Sequence, residues 1–305
     1  MRKFGEIDLV ALVPPGPAEN GEIGDREIAG DEITAKMAAD VLDDLTDIVV
    51  RASAATLAVP FSAVEKRIKT DLTPVTAADD LSEATILDGL SHVLPNARVI
   101  SEESVLRSFA SPLPRSFLIV DPLDGTREFL AGRDEFTVNV AVVTDGVPLA
   151  GIIAAPAQGF LWRGIVGGKA ERMQLRLGGS KPRADDAVVI HARAAPERLV
   201  VATSRSHLDE ATEDFLARLP IAKRYLCGSA VKFCQMAQGD ADIYPRLSPT
   251  CEWDIAAGQA ILVAAGGTVT TPDSEALAFG GWERKFRVPA FIAWGDPRRA
   301  GSVVP

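Results

Sequence analysis

The chain has 305 residues, 47% of them hydrophobic and 24% charged, with a formal net charge of −10. This is ordinary globular composition, with length enough for a large core in one or two domains. The acidic balance argues against binding nucleic-acid polymers, which calls for a basic footprint. No run of about 18 apolar residues suits a membrane span. The start, Met1-Arg2-Lys3-Phe4-Gly5-Glu6, lacks the apolar stretch of a secretory signal. Cys227, Cys234 and Cys251 are odd in number and show no CxxC spacing. Reduced thiols in a cytoplasmic protein are expected rather than disulfides or a zinc site.

Residues 1–30 are rich in Gly, Pro, Glu and Asp and read as an N-terminal extension. A helix is expected from Asp31 to about Phe61, its apolar stripe running through Ile33, Met37, Val41, Leu45 and Ile48. A loop with Lys66, Lys69 and Asp71-Leu72-Thr73-Pro74 leads to a second helix, from about Asp79 to Leu94. Thr76 and Asp79 form a capping-box-like start to it. Strand 98–100 enters Ser101-Glu102-Glu103-Ser104, and strand 117–120 runs into Asp121-Pro122-Leu123-Asp124-Gly125-Thr126. Asp145-Gly146 between apolar runs predicts a hairpin of 136–143 with 149–154, and 160–166 reads as a further strand. Residues 167–196 yield no assignment.

After Pro196 strands and helices alternate. Strands are expected at 199–202, 225–226, 241–244 and 291–294, and helices at 208–219, 229–238 and 254–265. Two halves follow: 31–196, carrying most of the candidate acids, and 197–305, carrying Asp254 and the residues that bear on substrate choice.

The acids at element ends carry the chemistry. Asp121 and Asp124 flank a Pro turn followed by Gly-Thr, a poor choice for a mere turn and a good one for a divalent cation and a phosphate. Asp79 and Asp254 also suit plain helix N-caps, and Glu102 with Glu103 also suits a solvated loop. Together they match the oxygen-rich set that hard cations require, and two such ions can hold both the attacking water and the leaving oxygen of an in-line displacement.

Val75-Thr76-Ala77-Ala78-Asp79, Ser101-Glu102-Glu103-Ser104, Asp121-Pro122-Leu123-Asp124-Gly125-Thr126 and Trp253-Asp254-Ile255-Ala256-Ala257-Gly258 resemble the inositol monophosphatase superfamily. The resemblance spans roughly residues 31–300. Within the superfamily the chain looks most like the CysQ-type 3′(2′),5′-bisphosphate nucleotidases. Glu135-Phe136-Thr137-Val138-Asn139, Ser204-Arg205-Ser206-His207, Gly228-Ser229-Ala230-Val231-Lys232 and Tyr244-Pro245-Arg246 carry that likeness.

The resemblance implies an α/β fold, a layered αβαβα sandwich of the inositol monophosphatase/fructose-1,6-bisphosphatase type. It implies two or three Mg²⁺ held by Glu102, Asp121, the carbonyl of Leu123, Asp124 and Asp254. Thr126 and Asp79 would activate the attacking water, with Glu102 also in the catalytic set. Gly125, Thr126 and Asp254 would meet the substrate. So would Lys232 and Arg246, cations suited to a second anionic group, Ser229, a donor to a phosphate, and His207, suited to stack on or bond to a base. The plainer roles are a surface Arg246, a solvated Lys232 and a helix-capping His207; His92 and His191 read as surface residues and Trp253 as packing.

The implied reaction is hydrolysis of the 3′-phosphate of adenosine 3′,5′-bisphosphate by metal-activated water, with the sulfated nucleotide as a further substrate and sulfur assimilation as the setting. The rivals are an inositol or sugar phosphatase of the same superfamily and, from another class, a non-catalytic phospholigand-binding regulator. The expected partner is a small phosphorylated substrate, and homodimer formation stays open.

Overall fold

The computed structural model describes residues 32–60, 67–68, 74–105, 112–178, 181–205 and 208–301. The N-terminal extension, Lys66, Lys69, the loop 71–73 and His207 lie outside the described residues.

The first helical stretch divides into α1 (Ala35–Asp40) and α2 (Leu42–Ala58), with Val41 between them at φ −103° and ψ 1°. One continuous helix was the expectation. The bend at Val41 is slight, since its N–H still bonds to the carbonyl of Met37 at 3.2 Å. A two-stranded ladder, β1 (Arg67–Ile68) and β2 (Pro74–Val75), precedes α3 (Ala77–Val93). The capping box is formed: Thr76 Oγ1 accepts from Ala78 N–H, and Asp79 Oδ2 accepts from Thr76 N–H at 2.8 Å.

Seven strands then make one sheet: β3 (Arg98–Ser101), β4 (Ser116–Asp124), β5 (Thr137–Thr144), β6 (Val147–Ala155), β7 (Phe160–Ile165), β8 (Ala170–Arg176) and β9 (Arg183–Ile190), in that spatial order. Only β3 and β4 run parallel. The short helix α4 (Thr126–Leu130) follows β4, and the Asp145-Gly146 turn joins β5 to β6 as expected. The last two strands fill the stretch that had no assignment. β9 is an edge strand with most of its side chains exposed, so it carries no buried stripe to announce it.

A five-stranded sheet follows, ordered β11 (Ile221–Cys227), β10 (Leu199–Ser204), β12 (Ile243–Arg246), β16 (Phe291–Trp294) and β14 (Thr268–Thr270). Its helices are α5 (Glu210–Ala217), α6 (Val231–Ala237) and α7 (Ala256–Ala264). A small ladder pairs β13 (Thr250–Cys251) with β15 (Arg287–Val288).

Strand period 2 sorts the core. Leu118, Val120, Val138, Val140 and Ile152 pack under α1, α2 and α3. Ile119, Ala141 and Ile153 face the other way, onto α6, α7 and, beyond them, Tyr244 and Phe291 of the second sheet. Phe215 and Leu216 of α5 cover that sheet's far side against Val201 and Ile243. The result is five layers, helix–sheet–helix–sheet–helix. Small residues let α7 lie close: a Cβ on Gly151 would sit 2.2 Å from the carbonyl oxygen of Ala257, and one on Gly258 would sit 2.4 Å from the Phe233 ring.

Candidate active site

β4 does not stop at Val120, as its apolar run suggested, but continues through Asp124. Asp121 pairs with Asn139 and Asp124 pairs with Thr137, so three steps on β4 oppose two on β5. That extra residue is a β-bulge. In a regular strand, side chains three apart point to opposite faces. The bulge restores the phase, and both carboxylates face the α6–α7 side. Ser82 of α3 secures the bend by donating to the carbonyl of Pro122 at 2.7 Å.

Asp254 arrives from the second half. It ends a one-turn 3₁₀ helix, Glu252–Asp254, ahead of α7, where the sequence suggested it would open the α-helix itself. Its Oδ2 accepts from Cys251 N–H at 3.0 Å and from the hydroxyl of Thr250. Carboxylate oxygens of Asp121, Asp124 and Asp254 lie within 4.8 Å of one another. Glu102 stands outside that tight trio, at the end of β3, but its charge reaches both Asp121 and Asp124.

Like charges crowded in a buried place resist ionisation. Burial first, then Glu102, Asp124, Asp254 and Glu103, push the Asp121 carboxyl well above the usual carboxylate range. Asp124 is pushed up to about 7, again by burial first and then by Asp254, with Lys232 and the Ala230 N–H opposing. Asp121 Oδ2 is buried without a hydrogen-bond partner. An all-oxygen donor set with one orphaned oxygen fits a hard divalent cation.

Beside the acids, Thr126 Oγ1 donates to Asp79 Oδ1 at 3.3 Å and lies equally far from the Leu123 carbonyl. Asp79 is buried. Gly125 caps α4 at φ +92°, a conformation that glycine adopts without penalty.

The second half adds cations. Lys232 is buried, not solvated: its ammonium donates to the carbonyls of Ser229 (2.5 Å) and Cys227 (3.5 Å) and sits 5.1 Å from the Tyr244 ring centre. Ser229 takes φ +46°, and the next N–H, of Ala230, favours the ionised form of the Asp124 carboxyl. Arg246 is half-buried, with its Nε lacking a partner. Burial pulls its pKa down, but Tyr244, Asp254 and Asp124 outweigh that and hold it above its ordinary value. Trp253 packs on Phe286 with ring centres 6.1 Å apart.

Three features near the site escaped the sequence reading. Asn139, opposite Asp121, keeps both amide atoms buried without partners. Ser82 and the ion pair of Glu135 with Arg205 (2.6 Å) are the others. The Glu135 and Arg205 motifs were visible, but their pairing across 70 residues has no local signature.

The family model described as the inositol monophosphatase family matches residues 39–297. The chain belongs to the inositol monophosphatase family. Among curated relatives, the 3′(2′),5′-bisphosphate nucleotidase CysQ of Salmonella typhimurium is 37% identical over 209 residues, 66% of this chain and 77% of that one. CysQ of Buchnera aphidicola is 39% identical over 203 residues, 67% of this chain and 73% of that one. Among solved structures, CysQ from Bacteroides thetaiotaomicron, described as a bacterial member of the inositol monophosphatase family, aligns with a TM-score of 0.68 at 28% identity. It covers 86% of this chain and 98% of its own. The layered fold is thus the family's. No described helix is long and apolar enough to cross a membrane.

Proposed function

We propose that this chain is a Mg²⁺-dependent 3′(2′),5′-bisphosphate nucleotidase that removes the 3′-phosphate of adenosine 3′,5′-bisphosphate. One observation carries the reading: three carboxylates from distant parts of the chain meet within 4.8 Å, beside a Thr126–Asp79 hydrogen bond and two half-buried or buried cations. The CysQ relatives at 37–39% identity support it.

Asp121, Asp124 and Asp254 would hold the metal, with Glu102 and the Leu123 carbonyl at its margin. Two or three bound Mg²⁺ supply the positive charge that acidifies water and neutralises phosphate oxygens. As the water oxygen bonds to phosphorus and the bond to the ribose 3′-oxygen breaks, Thr126 would relay the water's proton to Asp79 and the departing 3′-oxygen would take a proton from solvent, so no phosphoenzyme forms. The backbone N–H groups at Gly125 and Thr126 belong to the start of α4 and would suit the transferring phosphate.

Arg246 and Lys232 answer the second phosphate. A fork-shaped guanidinium with an unpaired Nε suits phosphate oxygens, and Ser229 precedes the helix that carries Lys232. His207 would stack on or bond to the substrate base.

Phosphate release in Mg²⁺ from adenosine 3′,5′-bisphosphate, inositol 1-phosphate and fructose 1,6-bisphosphate, side by side, tests the reading. The bisphosphate nucleotide is expected to give the highest kcat/KM by about tenfold or more. Preference for inositol 1-phosphate would replace the substrate assignment, and no release from any of them would favour a phospholigand-binding protein.

A further inference from the structure

Glu135 and Arg205, two side chains to which the proposed chemistry gives no role, meet at the turn that carries Ser229. Glu135 immediately precedes Phe136 and β5. Its Oε2 accepts from Gly228 N–H at 2.9 Å and from Arg205 Nε at 2.8 Å, and its Oε1 accepts from Arg205 Nη2 at 2.6 Å. The same Arg205 Nη2 donates to the carbonyl of Leu226 at 2.7 Å. Arg205 thereby holds both the carboxylate and the strand that leads into Gly228.

The backbone of Glu135 is equally confined. A Cβ on Gly125 would lie 3.1 Å from the Glu135 carbonyl oxygen, and a Cβ on Gly228 would lie 2.8 Å from it. Glu135 is therefore wedged between the Gly125 turn of the first half and the Gly228 turn of the second. Past Gly228 the chain makes an uphill move. Ser229 adopts φ +46°, a left-handed conformation that a side-chain-bearing residue keeps only when its surroundings enforce it. The next N–H, of Ala230, lies on the Asp124 side and favours that carboxyl's ionised form, and Lys232 folds back onto the Ser229 carbonyl at 2.5 Å.

We infer that Glu135, fixed by Arg205, is a positioning residue: it pins the Gly228–Ala230 turn so that the Ala230 N–H meets Asp124 and Lys232 enters the site with it. An isolated surface ion pair would do little. This one is bidentate and charge-assisted, its carboxylate is 15% exposed, and it shares its acceptor with a buried backbone donor. Neither side chain takes part in the chemistry; they act through the turn.

The kinetic part rests on the nucleotidase reading, and the exchange part does not. Amide hydrogen exchange on the full metal-free chain compares wild type with Glu135→Ala, Glu135→Gln and Arg205→Ala. Glu135→Ala should speed exchange across residues 228–232 by about tenfold or more, with the β4–β6 peptides unchanged. Glu135→Gln keeps an acceptor for Gly228 N–H and should recover part of the protection. With adenosine 3′,5′-bisphosphate, Glu135→Ala and Arg205→Ala should each lower kcat about tenfold, and the double variant should fall no further than the worse single one. Unchanged exchange at 228–232 in Glu135→Ala overturns the inference whatever the activity. So does an equal loss of protection over the whole first sheet, which would mark a merely structural contact. A wild-type chain that releases no phosphate defeats the nucleotidase reading alone, because the exchange comparison still decides what Glu135 holds.

Discussion

Thr126 and Asp79 lie 47 residues apart and share a hydrogen bond of 3.3 Å, from the threonine hydroxyl to Asp79 Oδ1. The other oxygen of Asp79 is committed to the start of α3, accepting from the N–H (2.8 Å) and hydroxyl (2.6 Å) of Thr76. One carboxylate thus serves as helix cap and as candidate proton acceptor. The capping contacts fix its orientation, and the remaining oxygen points at the hydroxyl that would deliver a proton.

Those two duties separate by mutation. Asp79→Asn should lower kcat by about 100-fold or more, as expected for loss of a general base. Thr76→Ala should cost about 1 kcal/mol of stability through the lost cap while changing kcat only a few-fold. Thr126→Ser, which keeps the hydroxyl, should retain most activity, and Thr126→Ala should not. Steady-state kinetics beside thermal unfolding would distinguish the two roles. Equal activity losses in Thr76→Ala and Asp79→Asn would show that Asp79 matters only as a cap.

Without metal, the buried acids should make stability depend on pH in an unusual direction. Asp121 is raised well above the usual range and Asp124 to about 7. The folded chain therefore keeps protons that the unfolded chain releases near about 4. This contribution is fully present below that value and is lost as pH rises through about 7. The melting temperature of the metal-free protein should fall by a few degrees between about pH 5 and 8. Saturating Mg²⁺ should reverse the fall at the alkaline end, and Asp124→Asn should flatten it. Scanning fluorimetry with and without chelator reads all three. The same slope in wild type and Asp124→Asn would refute the electrostatic account.

Substrate choice should follow Arg246. Its unpaired Nε and its closeness to Asp124 and Asp254 place a free donor at the edge of the acid cluster. Arg246→Ala should cut kcat/KM for adenosine 3′,5′-bisphosphate by about 10- to 100-fold, the worth of a charge-assisted contact. Its effect on inositol 1-phosphate should be only a few-fold. Equal losses on both substrates would move Arg246 from selecting the substrate to supporting the site.

The packing of α7 offers a stability test remote from the substrate. Gly151→Ala places a methyl 2.2 Å from the Ala257 carbonyl oxygen, a backbone atom that cannot swing aside. A cost of about 1–3 kcal/mol is expected from overpacking. Denaturant unfolding measures it, and a neutral result would mean that α7 can shift freely against the first sheet.

Much of this was legible in the sequence for physical reasons that differ by element. The helix at Ala77–Val93 announced itself by Thr76 and Asp79, and the β5–β6 hairpin by Asp145-Gly146, because caps and tight turns are local chemistry. The acids could be named from motif spelling. What put Asp121 and Asp124 on one face could not, because a bulge is defined against the partner strand, and Asn139 and Thr137 lie more than a dozen residues away. β9 went unseen because an exposed edge strand has no buried stripe, and the Glu135–Arg205 pair because an ion pair across 70 residues leaves no periodic mark. The helix break at Val41 lies inside an unbroken apolar period, and the backbone alone records it.

The proposed chemistry depends on where a divalent cation binds. Crystals grown with Mn²⁺, which accepts the same carboxylate ligands as Mg²⁺, would locate it through anomalous scattering. At least one strong peak is expected among the carboxylates of Asp121, Asp124 and Asp254, at about 2.0–2.3 Å from their oxygens. A map with no peak there, or with ions only at remote surface acids, would contradict the proposed centre and the phosphatase built on it.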